Sequence, residues 1–284
     1  MRSTDLATFT TTHPISVVAE LTSVRGSSPR EAGAFMLIAA DALIGTIGGG
    51  ALEYMVIASA RQALRDGEEP DELDIPLGPE IGQCCGGRVE VSLRFLTPQS
   101  AALLTDRLRQ SEAARPHVYL FGSGHVGKAL ARALSALPLN VHAIDTRPDE
   151  LHDLPLSVEA RAVPMPEAVV RGAPAGSSYV ILTHDHALDF LIAAEALKRP
   201  DAPYIGMVGS RTKRAKLRSW YLAEGGDAAD LRRLVLPIGS FGLVDKRPEV
   251  IAALAAAEIM VQIGRGEASI MRVPETVGSG ADLD

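Results

Sequence analysis

Val118-Tyr119-Leu120-Phe121-Gly122-Ser123-Gly124-His125-Val126-Gly127 is the stretch on which the fold turns. Four apolar residues make a short buried strand. Three glycines then follow at G-x-G-x-x-G spacing, and a helical pattern begins after Gly124. Each glycine has its own physical task. Gly122 permits a tight turn, Gly124 lets backbone approach a ligand phosphate, and Gly127 lets the helix pack closely on the sheet. The free N–H groups at the helix start, around His125, favour an anion. Asp145 ends the next strand, 23 residues after Gly122, where an acid that binds ribose belongs. A glycine turn that serves packing alone is the competing reading.

Downstream of this loop the pattern alternates between strand and helix. Strands are expected at Val118–Phe121, Val141–Ile144, Tyr179–Leu182, Ile205–Val208 and Leu234–Leu236, with helices after Gly124, His186, Ser210 and Pro248. Such alternation implies a Rossmann-type parallel sheet covered on both faces. Ligands of such sheets bind beyond the carboxyl ends of the strands, so further loops converge on the same edge. Thr183-His184-Asp185-His186 contains a His-x-His pair that can bind metal, but no third ligand lies nearby. Asp185 as a helix cap is the alternative. Ser210 and Arg211 combine a hydroxyl, a guanidinium and free N–H groups, which suits a phosphate; Ser210 as a simple N-cap is the alternative. Pro237-Ile238-Gly239 is a tight strand exit.

Upstream, the pattern is mixed. Ile15–Leu21, Ala34–Ala39 and Ala42–Ile47 read as strands, and 51–66 as a helix stopped by Gly67. Glu68–Pro79 is acidic, carries two prolines and reads as a loop. Arg88–Leu96 alternates as a half-buried strand, and Ser100–Arg109 reads as a helix. The fold class is therefore α/β, with an N-terminal α+β domain over 1–112, a Rossmann-type domain over 113–272 and a disordered tail over 273–284.

The chain has 284 residues, 28 basic against 35 acidic, for a net charge of −7. That balance argues against nucleic acid as the main partner. Apolar runs fall well short of the roughly 18–20 residues that a membrane span needs. Met1–Thr12 does not read as a signal peptide, so a cytoplasmic setting is expected.

The two cysteines are adjacent, in Gly82-Gln83-Cys84-Cys85-Gly86-Gly87. Neighbouring thiols do not easily form a disulfide, and they lack Cys-x-x-Cys spacing. Glycines on both sides leave room for something bulky. A thiolate here can serve as a soft metal ligand or a sulfur-transfer nucleophile; two small buried hydrophobes are the bland alternative. Arg25-Gly26-Ser27-Ser28-Pro29-Arg30 and Gly48-Gly49-Gly50 are further potential anion-binding loops, or ordinary turns.

Together these motifs resemble the XdhC/CoxI family, the accessory proteins of xanthine dehydrogenase. The resemblance runs from Arg25 to about Ile263. It is carried by Arg25–Arg30, Gly45–Glu53, Gly82–Gly87, Phe121–Gly127, Asp145-Thr146-Arg147, Thr183–His186, Gly206–Arg211 and Pro237-Ile238-Gly239, with Lys246, Pro248 and Ala255–Glu258. Ser240-Phe241 stands where family members vary, which touches only the contacts of that loop. The resemblance implies a carrier rather than a catalyst. It would bind molybdenum cofactor (molybdopterin), hold it while a cysteine desulfurase replaces an oxo group with sulfur, and insert it into xanthine dehydrogenase, its partner. Cys84 or Cys85 would contact the metal. Gly122, Gly124, His125, Gly127, Asp145, His184, Ser210 and Arg211 would line the remaining cofactor site, and a homodimer is implied. An NAD(P)-dependent oxidoreductase is the alternative suggested by the glycine loop and Asp145. It would have to use His184 and His186 for acid–base work. A nucleotide-sensing module is a third reading, with no use for the cysteines.

Overall fold

In the computed structural model, residues 1–79, 86–240, 243 and 245–270 are described, with side chains through 265. The chain divides into two compact units, Met1–Ala113 and a second from Ala114 onward.

The first unit is a five-stranded antiparallel sheet with helices on both faces. Its elements are α1 (Ser3–Thr12), β1 (Val17–Arg25), β2 (Phe35–Ile38), β3 (Leu43–Gly45), α2 (Gly50–Asp66), β4 (Leu73–Pro76), β5 (Arg88–Phe95) and α3 (Pro98–Ala113), with strand order β3-β2-β1-β5-β4. Alternation along β1 sorts the side chains. Val17, Ala19 and Leu21 pack with Leu52, Val56 and Ala60 of α2. Val18 turns the other way, to Leu6 and Phe9 of α1 and Leu104 of α3. The expected loop 68–79 contains β4, an edge strand paired to β5 from Leu73↔Val91 to Pro76↔Arg88. Acid and proline concealed it, yet both belong on an edge, where one side of the backbone needs no ladder partner. The polar start of the chain forms α1, anchored by Leu6 and Phe9 and by Ser3, whose N–H and hydroxyl both donate to the Glu112 carboxylate.

The second unit is α/β. It runs β6 (His117–Phe121), α4 (His125–Ser135), β7 (Asn140–Asp145), β8 (Val158–Ala162), α5 (Pro166–Gly172), β9 (Ser178–Ile181), α6 (His186–Leu197), β10 (Ile205–Met207), α7 (Arg211–Ala223), β11 (Leu234–Val235) and α8 (Pro248–Ile270). The strands are parallel in the order β11-β10-β9-β6-β7-β8, so the order reverses between β6 and β9. One face packs on α4 and α8, through Leu130, Leu134, Ala255 and Ile259. The other packs on α5, α6 and α7, through Val170, Ile192, Ala196 and Leu217.

Strict alternation fails at one step. β7 passes to β8 through only a short 3-10 turn, Pro148–Leu151. Strand β8 buries Val158 alone, leaving Glu159 and Arg161 exposed. Neither β8 nor the seven-residue α5 carries enough apolar residues to show a period. Among the described residues, no helix is long and apolar enough to cross a membrane. The expected tail over 273–284 lies outside the described residues.

Candidate functional site

The strands β6, β7 and β9 end at one level, with Phe121 opposite both Ile144 and Ile181. Gly122 leaves β6 with φ +110° and donates its N–H to Ile144 O at 2.8 Å. A Cβ on Gly122 would lie 2.5 Å from Leu182 O. One on Gly127 would lie 2.1 Å from Gly122 O, so both glycines are demanded by the protein's own backbone. Gly124 is different. It caps α4 in extended geometry, and a Cβ there would meet nothing within 4 Å. Beside it, Ser123 is buried and its hydroxyl has no hydrogen-bond partner. An orphaned hydroxyl, open space and the start of a helix suit an anion. His125 is exposed at the first helical position.

Asp145 is not free to take a ribose. It is 4 % exposed, and Oδ2 accepts the Ser123 N–H at 2.8 Å. Oδ1 accepts the Arg147 N–H at 3.0 Å and its Nε at 3.2 Å. Burial pushes this carboxyl up, but the Arg147 guanidinium and the two N–H donors outweigh it and hold it below the usual aspartate value. The crevice at the strand-order reversal, lined by Gly122, Asp145, Thr183 and His184, encloses only about 10 Å³. A nucleoside needs far more, on the order of several hundred Å³.

The loops after β9 and β10 are tied together by a network that sequence reading missed. Asp189 of α6 is fully buried and accepts the Thr183 hydroxyl at 2.7 Å. The Lys213 ammonium of α7 contacts the same carboxylate and donates to Val208 O at 2.9 Å. The pair therefore locks Thr183-His184 against Ser210-Arg211. A signal was present: Lys213, Leu217 and Tyr221 recur at helical spacing, as do Asp189, Ile192 and Ala196. Opposite charges thus stand on the core faces of successive helices. Asp185 caps α6 by accepting Ala187 N–H at 2.8 Å, and Ser210 caps α7 by accepting Lys213 N–H at 3.3 Å. His184, His186 and Arg211 are exposed. Among the described residues, no group of three His, Cys, Asp or Glu is placed to hold a metal ion.

In the first unit, three motifs flagged separately meet. Gly87 crosses the 25–30 loop so closely that a Cβ would lie 2.1 Å from Ser27 O and 2.8 Å from Arg25 O. On the loop's other side, Pro29 packs against Gly48, where a Cβ would lie 3.0 Å from its ring. Gly48, Gly49 and Gly50 all have positive φ and lead into α2. Glu53, in the first turn of α2, accepts the Thr46 hydroxyl at 2.5 Å and the Ile47 N–H at 3.1 Å, which fixes this entrance. Gly86 donates to Leu77 O and Gly87 accepts from Leu77 N, extending the β4–β5 ladder towards the connection that carries the cysteines. Arg25 pairs with Glu90, whereas the Arg30 side chain has no hydrogen bond or ion pair among the described residues. Cys84 and Cys85 lie outside the described residues.

The strand order and glycine loop define a Rossmann-type unit joined to an antiparallel α+β unit. Two family models match: the XdhC and CoxI family over residues 15–74, and the XdhC Rossmann domain over residues 118–259. The chain belongs to the XdhC/CoxI family. It is 25% identical over 264 residues to the uncharacterized protein YqeB of Escherichia coli (strain K12), covering 90% of this chain and 45% of that protein. The chain thus spans less than half the length of that relative. A solved structure from Bacillus halodurans, described as a xanthine dehydrogenase, superposes with a TM-score of 0.73 at 20% identity. That match covers 97% of this chain and 98% of the other, and it shows a shared fold.

Proposed function

We propose that the protein is an accessory carrier that holds molybdenum cofactor during sulfuration by a cysteine desulfurase and delivers it to a xanthine dehydrogenase. The observation that carries this reading is the meeting of the 25–30 loop with Gly48 and with Gly87, two residues after the cysteine pair. It brings together Gly87, the start of a long helix, and the loop of Arg30, whose side chain has no hydrogen bond or ion pair among the described residues. The cofactor has a phosphate and a thiol-seeking metal, and these groups answer to both. In the second unit Gly124 and Ser123 offer room and a hydroxyl for a phosphate, with Ser210 and Arg211 on the loop after β10, one strand beyond the neighbouring β9 along the same sheet edge. Bound cofactor would supply a molybdenum centre for oxo-to-sulfido exchange; the chain itself would bind, orient and release. The alternative of an NAD(P)-dependent oxidoreductase is weakened at Asp145, whose carboxylate is consumed by Ser123 and Arg147.

The test is purification from a molybdopterin-making host, followed by acid oxidation and pterin fluorescence. Stoichiometric pterin is expected, with loss in a Cys84→Ala/Cys85→Ala double variant. Absence of pterin together with tight NADH binding would overturn the reading. Homodimer formation, implied for the family, is checked by light scattering on the same sample.

A further inference from the structure

Helix α7 reads Arg211-Thr212-Lys213-Arg214-Ala215-Lys216-Leu217-Arg218 over its first two turns, five cations without an acid. In a chain of net charge −7 this concentration is anomalous. Lys213 is accounted for by Asp189. Arg214 turns onto the outermost strand, donating to Leu236 O at 3.0 Å and reaching Leu234 O at 3.5 Å. Carbonyls satisfy its donors without cancelling its charge. They are carbonyls of β11 and of the residue that follows it, so the fork covers this sheet edge against strand addition.

Between α7 and β11 runs a groove of about 370 Å³. Its floor is Leu217, Leu231 and Leu234; its rim is Arg214, Arg218 and Arg232. Among the described residues, the side chains of Arg218 and Arg232 have neither a carboxylate nor any other hydrogen-bond partner, and the same holds for those of Arg211 and Lys216. Among the described residues the acids nearest in sequence, Glu224, Asp227 and Asp230, form no ion pair with these arginines; Asp227 accepts Ala229 N–H at 2.7 Å, and Asp230 accepts the Tyr221 hydroxyl at 3.0 Å.

We propose that this groove docks an acidic segment of another protein, with an aliphatic side chain seated on the leucine floor between carboxylates that engage Arg218 and Arg232. Charge complementarity carries the assignment. Planar guanidinium forks match carboxylates in two-point geometry, and a chain with excess negative charge steers an acidic partner only to a local cationic patch. Nucleic acid fits less well, because no aromatic ring lines the groove for a base to stack on. The proposal does not depend on which cofactor the protein carries.

The test uses the full chain and a fluorescein-labelled peptide in which one leucine is flanked on both sides by glutamates, followed by anisotropy. Binding is expected, weakening as salt rises. Arg218→Glu/Arg232→Glu should weaken it at least about tenfold with an unchanged melting temperature. Replacing the peptide's leucine with serine should also weaken it, which plain polyanion attraction would not do. Three results would overturn the proposal. The first is equal affinity of wild type and double variant. The second is an oligodeoxynucleotide of equal charge binding as tightly as the peptide. The third is reversible self-association that the double variant abolishes, which would make the occupant a second copy.

Discussion

The two units hold their loops by opposite means. In the antiparallel unit the 25–30 loop and the strand after the cysteines are fitted backbone to backbone at Gly87, where no Cβ can stand, and Gly48 packs on the Pro29 ring. In the parallel unit the loops past β9 and β10 are fastened by buried charges, Asp189 with Lys213, and the glycine loop is pinned by Asp145. Steric fit is indifferent to pH and salt and admits no substitute. An ionic clamp fails when one partner is lost, because the other charge is left buried and unpaired. Gly122 and Gly127 bring the first strategy into the second unit, as does Gly239, where a Cβ would lie 2.9 Å from Ile251 O.

The largest effect should come from the steric contacts. Gly87→Ala and Gly127→Ala each force a Cβ to 2.1 Å from a carbonyl oxygen and should cost about 4 kcal/mol or more, read by chemical denaturation. If Gly87→Ala is tolerated, the fit in the first unit is looser than its glycines imply. Next comes the buried clamp. Asp189→Leu or Lys213→Met alone strands a buried charge and should cost roughly 3–5 kcal/mol, whereas the double variant should recover much of that loss. A double variant as unstable as the sum of both would mean the pair does not act as a unit.

Asp145→Asn should cost about 1–3 kcal/mol at neutral pH through its weakened hold on Ser123 and Arg147. The sign of its pH dependence follows from the lowered carboxyl. The folded state binds this proton less readily than the unfolded chain, so the ion pair's stabilisation is complete above the ordinary aspartate value, near pH 4. It is lost as pH falls through the folded value. The gap between variant and wild type should therefore close in acid; a gap that persists there would assign the effect to packing. Gly124→Ala should leave stability within about 0.5 kcal/mol, because its Cβ meets open space. Gly124→Val should lower cofactor retention without unfolding. Unchanged retention would remove the α4 start from the binding site.

How far these features could be read in advance depends on the range of the interaction. The strand–glycine–helix stretch from Val118 to Gly127 was legible because its signals are local: an apolar run, three spaced glycines and a helical period. Strands β4 and β8 were not, since an edge strand buries one or two side chains and otherwise looks like loop. The place of Asp145 at the end of β7 was legible, whereas its hydrogen bonds to Ser123 and Arg147 were not. Position is a matter of spacing, whereas the closing of its carboxylate by Ser123 and Arg147 depends on how two loops meet.

The amino-acid sequence by itself determined the Rossmann-type sheet and the glycine loop, because periodicity and spacing act between neighbours along the chain; the family came from the likeness of its motifs. Tertiary structure alone decided which motifs share a place. Gly87 meets Ser27 across 60 residues, and Asp189 meets Lys213 across 24. Such contacts arise from close packing and buried charge, whose energies depend on proximity in space and leave little periodic trace along the chain.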